Sequence, residues 1–399
     1  MVRLGCRVRG AGRLAVRAAA LVLVTGGTVV LGGALIALRV ARNVVTPPRR
    51  RREDVAIFAV DLEGETVLLG LTPDTVVPGH YSLWFDEDRG HARVGVILAQ
   101  DEHSVLRRLH GVQRGDLERA SHGRWAGWWY LTPADLDLPY LEVNMATDVG
   151  SAPAWRIDAQ APGDAWVIQV HGRAVTRSEG LRAVTVFREA GYHCLLISYR
   201  NDGDAPPSHD GRSALGDEEW RDVEAAIEYA RREGARRIVL MGWSMGGATV
   251  LQCVMRSPLA SHVDAVVLDS PVVDWLSVLR FQAAAAGLPS AVRDVALAML
   301  SSDRGSQWVG LNEPIDFDRL DIVARSAELS IPILLLHSDD DGYVPSNGSI
   351  ALAAARPDVV RLERFAVARH TKLWNYDPDR WERAIRTWLS DQGLSDQRP

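Results

Sequence analysis

The chain has 399 residues, a formal net charge of -6, and a hydrophobic fraction of 47%. This balance is typical of a globular protein, and the apolar material suffices for a core in a domain of more than about 200 residues. The acidic net charge argues against nucleic acid as a partner. Three cysteines without a paired spacing argue against a disulfide framework and against a zinc site built on cysteines.

The N-terminal part contains a run without charged side chains at residues 18–38, and arginines flank it on both sides. Its 21 residues are enough to cross a bilayer as a helix, so we predict a single-pass, uncleaved membrane anchor within residues 1–45. A cleaved signal peptide and a buried helix are the alternatives, but a signal peptide has a shorter apolar region. The arginines on both sides leave the orientation in the membrane open.

Residues 46–150 are predicted to form a β-rich accessory unit, which begins with a basic, proline-containing connector. Short apolar runs alternate there with glycine, proline and aspartate, a rhythm that indicates strands joined by turns. Three tryptophans near its end, Trp125, Trp128 and Trp129, could line a binding surface, but we expect core positions. The sequence leaves the role of this unit open.

Residues 151–395 show strands alternating with helices, which predicts an α/β domain with a mostly parallel sheet covered by helices on both faces. The strand candidates are short apolar runs: AWVIQV (165–170), HCLLISY (193–199), RRIVLMG (236–242), DAVVLD (264–269) and PILLLH (332–337). An insertion at about 274–330 interrupts this alternation. Because ligand-binding loops follow the carboxyl ends of such strands, we interpret the insertion as a helical cap over the site.

The strongest local motif is the run from Gly242 to Gly247, GWSMGG, which follows an apolar strand and precedes a helical run. This is the G-x-S-x-G nucleophile elbow in its required setting of strand, turn and helix. The glycines permit a tight turn that exposes Ser244, which we predict to be the nucleophile. The backbone N–H of Met245, at the start of the helix, is a candidate donor to a developing oxyanion.

A serine nucleophile needs a base, and in elbow hydrolases the acid and then the histidine follow the serine along the chain. His370 is the only histidine beyond the last predicted strand-end carboxylates, so we predict that it is the base. The acid should stand after a strand. Asp269 and the neighbours Asp339, Asp340 and Asp341 all satisfy that condition, and the pattern alone does not choose among them.

A second oxyanion donor is expected from a loop after an early strand. The run IQVHGRAV fits, because Gly172 lets the backbone turn closely and the N–H of Arg173 would then point into the site. We expect His171 to brace this loop by hydrogen bonds. The Arg173 side chain has two interpretations, contact with an anionic substrate or exposure to solvent.

Other functional motifs are absent from the sequence. There is no Walker A sequence, no G-x-G-x-x-G after a strand, no H-E-x-x-H and no EF-hand pattern. We therefore predict no cofactor and no metal.

Residues from about 155 to 390 resemble the α/β-hydrolase superfamily. Within it, the runs SYRNDGDAPPS, GWSMGG and RHTKLWNYDP look like membrane-anchored hydrolases of actinobacterial type and, more distantly, prolyl-oligopeptidase-like hydrolases. The superfamily carries its acid at the fifth position of H-G-x-x-D-x-x-V-P. The matching run from His337 to Pro345 has serine at position 338 in place of glycine, and this resemblance implies Asp341 as the acid.

Together these observations predict a serine hydrolase of the α/β-hydrolase fold that cleaves carboxylic or thiol esters of a small molecule. The predicted membrane anchor favours lipophilic esters. A serine peptidase or amidase of the prolyl-oligopeptidase-like type is the enzymatic alternative. A non-catalytic membrane scaffold is the alternative from another class, because a fold does not dictate a function. The residues and their spacing leave the oligomeric state undetermined.

Overall fold

The computed structural model of the chain describes residues 32–47 and 51–395. These residues divide into two compact units. The smaller unit comprises the described residues up to Val44 together with Ala283–Ile315, and the larger one comprises Val45–Gln282 and the described residues from Asp316 onward.

The β-rich segment of the larger unit forms a closed, antiparallel barrel in which the strands follow the order β1-β2-β5-β4-β3-β6. Its strands are β1 Val55–Asp61, β2 Thr66–Gly70, β3 Tyr81–Phe85, β4 Gly90–Gln100, β5 Ser104–Arg114 and β6 His122–Ala126. Pairing of β1 with β6 closes the ring, which leaves no unpaired strand edge. Leu69, Leu83 and Phe85 are fully buried in its core. Trp125 and Trp128 are also buried, as predicted, whereas Trp129 is only half-buried.

The remaining strands form one eight-stranded sheet in the order β14-β13-β12-β11-β9-β10-β8-β7. They are β7 Leu141–Thr147, β8 Gly150–Ile157, β9 Ala165–Val170, β10 His193–Ile197, β11 Arg237–Trp243, β12 Ala265–Asp269, β13 Ile333–Ser338 and β14 Val360–Phe365. The six strands from β9 to β14 are parallel, and β7 and β8 are added antiparallel, so the predicted mostly parallel sheet is confirmed. All five predicted buried strands are present.

The start of this sheet differs from the predicted domain boundary at residue 151, which falls inside β8. Strand β7, which precedes that boundary, is already part of the sheet. Its position at the sheet edge explains why the sequence does not reveal it. Most of its residues are exposed or half-buried, so it lacks the continuous apolar run that marks a buried strand.

The order of the strands creates the crevice in which the site lies. From β9 the chain passes to β10 on one side and then returns to form β11 on the other. Loops at the carboxyl ends of neighbouring strands diverge at such a reversal, and open α/β sheets bind ligands there. The segments after β9 and β11 are the predicted oxyanion loop and the predicted elbow.

The helices of the described chain flank the sheet or belong to the smaller unit. They are α1 at 32–45, α2 Leu181–Glu189, α3 Trp220–Arg232, α4 Met245–Arg256, α5 Trp275–Ala285, α6 Ser290–Ser301, α7 Asp303–Val309, α8 Asn347–Ala355, α9 Leu373–Tyr376 and α10 Pro378–Asp391. The predicted cap insertion at about 274–330 thus contains α5, α6 and α7, and the last two belong to the smaller unit with α1. The function of the insertion as a cap stays a prediction.

The predicted membrane segment lies only partly within the described residues, because residues 18–31 fall outside them. Of that segment the structure describes 32–38, the start of α1, where Leu35 and Ile36 are exposed. The Arg42 side chain on the same helix donates two hydrogen bonds to the Trp308 carbonyl at the end of α7. Within 32–47 and 51–395, none of the helices combines the length and the apolar character needed to cross a membrane.

Candidate active site

Ser244 occupies a sharp turn between β11 and α4, with φ 50° and ψ -117°. Few residues other than glycine adopt such a positive φ, and strained backbone of this kind is typical of functional sites. The neighbouring glycines make the turn possible. A Cβ atom on Gly242 would lie 2.6 Å from the Gly246 carbonyl oxygen, and one on Gly246 would lie 2.2 Å from the Val170 carbonyl oxygen. Gly242 therefore lets the start of α4 fold back onto the end of β11, and Gly246 lets the elbow lie directly against the end of β9.

His370 lies in the loop between β14 and α9 and contacts the other two predicted residues. Its Nε2 atom is 2.9 Å from Ser244 Oγ, and its Nδ1 atom is 2.7 Å from Asp341 Oδ2. A carboxylate can only accept, so Nδ1 carries the proton and Nε2 is left to accept the hydrogen bond from the serine hydroxyl. This is the tautomer in which an imidazole can act as a general base toward serine.

Asp341 is buried after β13 and is held by several donors. Its Oδ1 atom accepts hydrogen bonds from the backbone N–H groups of Tyr343 and Val344, both at 2.8 Å. Burial raises the pKa of Asp341, but the charge of His370 and the hydrogen bonds from His337 and His370 outweigh burial, so this pKa lies below the usual range. The carboxylate therefore stays ionised beside the imidazole.

His337, the single histidine of β13, supports Asp341, a role that the sequence reasoning did not assign to it. Its Nε2 atom lies 3.0 Å from the Val344 carbonyl oxygen and 3.3 Å from Asp341 Oδ2. Two acceptors face this nitrogen, so it carries the proton and the ring donates toward the Asp341 carboxylate. Nδ1 in turn accepts from the Ser349 hydroxyl at 2.7 Å.

The three other candidate acids have different partners. Asp269 is fully buried, and it accepts hydrogen bonds from Trp381 Nε1 and from the Ser270 hydroxyl, both at 2.9 Å. Burial raises its pKa despite the nearby Arg182. Asp339 pairs with Arg364, and Asp340 accepts from the Ser338 hydroxyl and the Arg369 backbone N–H. The structure thus brings Asp341, and not these three, to His370.

The predicted oxyanion loop after β9 is held from several sides. The Gly172 N–H donates to Glu179 Oε2 at 2.7 Å, and the Tyr199 hydroxyl donates to the Gly172 carbonyl at 3.0 Å. His171 braces the loop as predicted, because its ring nitrogens contact the Gly172 carbonyl and the Asp202 carboxylate. A Cβ atom on Gly172 would lie 3.3 Å from Ser244 Cβ, so the loop passes close to the nucleophile.

The second oxyanion candidate, Met245, is the first residue of α4. The first N–H groups of a helix have no acceptor within that helix, so this N–H can serve a ligand. Met245 and Arg173 both line a small pocket beside the elbow. The other lining residues are Pro47, Arg51, His171, Ala174, Tyr199, Arg200, Asn201, Asp202 and Ser213.

A buried ion pair connects the oxyanion loop after β9 to the histidine loop, the segment 366–372 between β14 and α9. Sequence reasoning missed this ion pair. Arg182 and Glu179 lie 3.3 Å apart and are almost fully buried. Glu179 accepts the hydrogen bond from the Gly172 N–H. Arg182 donates to the Thr371 carbonyl at 2.7 Å and to Asn375 Oδ1 at 2.8 Å. In the sequence, a glutamate and an arginine three residues apart are an ordinary helix-surface pair.

The barrel also contacts the histidine loop. Asp74, between β2 and β3, lies 3.3 Å from Arg369 Nε and 3.2 Å from Lys372 Nζ, on the two sides of His370. Asn375 Nδ2 donates to the carbonyls of His80 and Gly127 at 2.7 and 3.0 Å. Burial raises the pKa of Asp74, but the two cations lower it more, so the carboxylate stays charged.

No site for a metal emerges from the described residues. Nowhere in 32–47 and 51–395 do three or more histidine, cysteine, aspartate or glutamate side chains lie together as metal ligands would.

Comparison with known protein families gives different matches for the sheet-containing region and for the barrel. The model of the Alpha/beta hydrolase family matches residues 167–389, more than half of the chain. Residues 56–126, which contain the barrel, match a family described as Domain of unknown function (DUF8805).

Curated relatives match about half of the chain. Human Protein ABHD12B is 26% identical over 206 residues, which cover 49% of this chain and 51% of that protein. Lysophosphatidylserine lipase ABHD12 of Macaca fascicularis is 27% identical over 228 residues, with 55% and 50% covered. The chain thus spans about half the length of the curated relatives that it matches.

Among solved structures, the esterase Pf2001 of Pyrococcus furiosus superposes with a TM-score of 0.51 at 19% sequence identity. The match covers 66% of this chain and 96% of the esterase. At this identity, the likeness shows that the two proteins share a fold.

Proposed function

Because the chain belongs to the alpha/beta hydrolase family, we propose that it hydrolyses carboxylic or thiol esters through an acyl-enzyme formed on Ser244. The observation that carries this proposal is the continuous series of hydrogen bonds from Ser244 through His370 to Asp341. The lowered pKa of Asp341 supports it, since an ionised carboxylate stabilises the imidazolium that forms during catalysis.

In the first half of the proposed reaction, His370 Nε2 takes the Ser244 proton while Oγ attacks the ester carbonyl carbon. The N–H groups of Met245 and Arg173 donate to the oxygen that becomes negative. When this intermediate collapses, the bond to the alcohol or thiol breaks, and the leaving group receives the proton from His370. Water then attacks the acyl-enzyme with the same base, and the carboxylic acid is released.

Lipophilic esters are the favoured substrate class within this proposal. Relatives at 27% identity are named lysophosphatidylserine lipases, which are enzymes for a lipid substrate. The predicted membrane anchor also supports this preference, since it would hold the site near a lipid surface. The competing functions are hydrolysis of amide bonds and a non-catalytic scaffold.

Labelling with a fluorophosphonate probe, followed by substrate comparison, tests the proposed function. The full-length protein in detergent should react with the probe, and heat-denatured protein should not, because the reaction requires an assembled base and nucleophile. p-Nitrophenyl esters should be cleaved faster than p-nitroanilides of the same acyl groups. Faster cleavage of the anilides would favour an amidase, and absence of labelling would favour a scaffold.

We further propose that residues 18–38 anchor the protein in a membrane. The uncharged run and the exposed Leu35 and Ile36 at its described end support this proposal. After alkaline carbonate washing, the full-length chain should stay in the membrane pellet, whereas a variant lacking residues 1–31 should be released. Release of the uncleaved full-length chain by the same wash would contradict the anchor.

A further inference from the structure

The pocket beside the oxyanion loop is lined by guanidinium groups, although the whole chain is acidic. Arg51, which precedes the barrel, and Arg173 both line this small pocket, and so does Met245. The Arg173 side chain donates to the Thr46 carbonyl. Positive charge is therefore gathered next to the two backbone donors that we propose for the oxyanion.

Arg51 carries a charge that its surroundings do not neutralise. Its guanidinium lies over the Trp128 ring, 4.6 Å from the ring centre, and the residue is half-buried. Among the residues that the structure describes, no carboxylate forms an ion pair or a hydrogen bond with it. Burial and the positive charge of Arg124 lower the pKa of Arg51 to about 10. The negative charges of Asp88 and Glu179 raise this pKa, but by less.

Two other ionisable side chains of the pocket, Arg200 and Asp202, already have buried side-chain partners. Arg200 Nε lies 2.8 Å from Asp222 Oδ2, and Asp202 Oδ2 lies 3.0 Å from His171 Nε2. A ligand would have to break these buried pairs in order to use them, and breaking a buried pair is costly. Arg51 can receive a ligand without such a loss.

We propose that Arg51, with Arg173 beside it, binds an anionic group of the substrate, so that the site prefers esters carrying a phosphate or a carboxylate near the scissile bond. This inference rests on the proposed ester hydrolysis. Arg173 and Met245, which we propose for the oxyanion hole, also line this pocket. We therefore expect the anionic group to belong to the same molecule as the reacting carbonyl. Guanidinium binds phosphate and carboxylate through paired hydrogen bonds. The Trp128 ring lies 4.6 Å from the central carbon of the Arg51 guanidinium and is a neutral neighbour that leaves its charge in place.

A substrate series with one acyl chain separates charge from chain length. The neutral member is a 1-acylglycerol, the phosphate member is the corresponding 1-acylglycerol 3-phosphate, and the carboxylate member is the 3-O-acyl glycerate, all in the same detergent micelles. The wild-type protein should show a higher kcat/KM for at least one anionic ester than for the neutral ester. The better of the two anionic esters identifies whether phosphate or carboxylate is the recognised group.

Substitution of Arg51 then tests the residue. Arg51→Gln should lower kcat/KM for the preferred anionic ester by about tenfold to a hundredfold, mainly through KM, because a charge-assisted contact of the bound substrate is lost. Hydrolysis of the 1-acylglycerol should stay within about twofold. Arg52→Gln is the matched control, since it removes the same charge from the exposed neighbouring arginine and should change neither substrate.

A second variant at the same position distinguishes loss of the charge from a folding defect. Arg51→Lys keeps the charge, and it should retain part of the preference with an unchanged unfolding temperature. Equal losses on neutral and anionic esters in Arg51→Gln, or a wild-type preference for the neutral ester, would overturn the role of Arg51 while leaving ester hydrolysis intact. A wild-type protein that cleaves p-nitrophenyl esters but neither anionic member of the series would also overturn this inference. Absence of both fluorophosphonate labelling and p-nitrophenyl ester hydrolysis would instead overturn the proposed function.

Discussion

Ser244→Ala should abolish ester hydrolysis, with a loss in kcat of about three orders of magnitude or more, as for other triad knock-outs. The substitution removes the only atom that can form the acyl-enzyme, while the backbone turn and the neighbouring glycines remain. The measurement is steady-state hydrolysis of a p-nitrophenyl ester by the purified full-length variant, together with labelling by the fluorophosphonate probe. We expect neither turnover nor labelling.

Two controls make this result specific. Thermal unfolding should show that the variant is folded, and Ser261→Ala, at an exposed position outside the site, should keep wild-type labelling and activity. If Ser244→Ala kept more than about a tenth of the activity, the elbow could not supply the nucleophile.

Asp341→Asn should lower kcat by about 10³- to 10⁴-fold. In the native site, Oδ2 accepts the Nδ1 proton of His370 and leaves Nε2 able to accept the serine proton. An amide NH₂ group in its place favours the opposite tautomer, in which Nε2 already carries a proton. The measurement is kcat on a p-nitrophenyl ester, with binding of a non-hydrolysable ester analogue as a check that the pocket is intact.

Asp269→Asn is the matched comparison, because Asp269 was the serious rival from sequence. Its carboxyl group bonds to Trp381 and Ser270, so this substitution should affect stability more than turnover. If Asp269→Asn lost most of its kcat while Asp341→Asn kept a kcat near that of the wild type, with both variants folded, our assignment of the acid would be wrong.

Local patterns predicted the parts of the site that a short segment determines. The elbow around Ser244 needs closely spaced glycines between a strand and a helix, and that requirement is visible in six consecutive residues. The choice of Asp341 among four acids came from a resemblance to known hydrolases. The distance from this acid to His370 depends on how two separate loops fold back, and the spacing of residues does not contain that information.

The parts that sequence reasoning missed are non-local. Glu179 and Arg182 support the oxyanion and histidine loops, but their partners lie elsewhere in the chain, as with Thr371 for Arg182. Strand β7 was missed because an exposed edge strand has no apolar run. Closure of the barrel likewise depends on pairing of its first strand with its last, across more than 60 residues of chain.

The contacts of Asp74, His80 and Gly127 with the histidine loop have a consequence for how the enzyme is made. During synthesis the barrel leaves the ribosome before the sheet, and domains generally fold in that order. The barrel can thus serve as a folded template onto which residues 369–376 dock when they are synthesised later. A chain whose barrel has not closed still contains Ser244, the proposed nucleophile, but lacks these contacts to the segment that carries His370. We therefore expect hydrolysis to begin only after the barrel has closed.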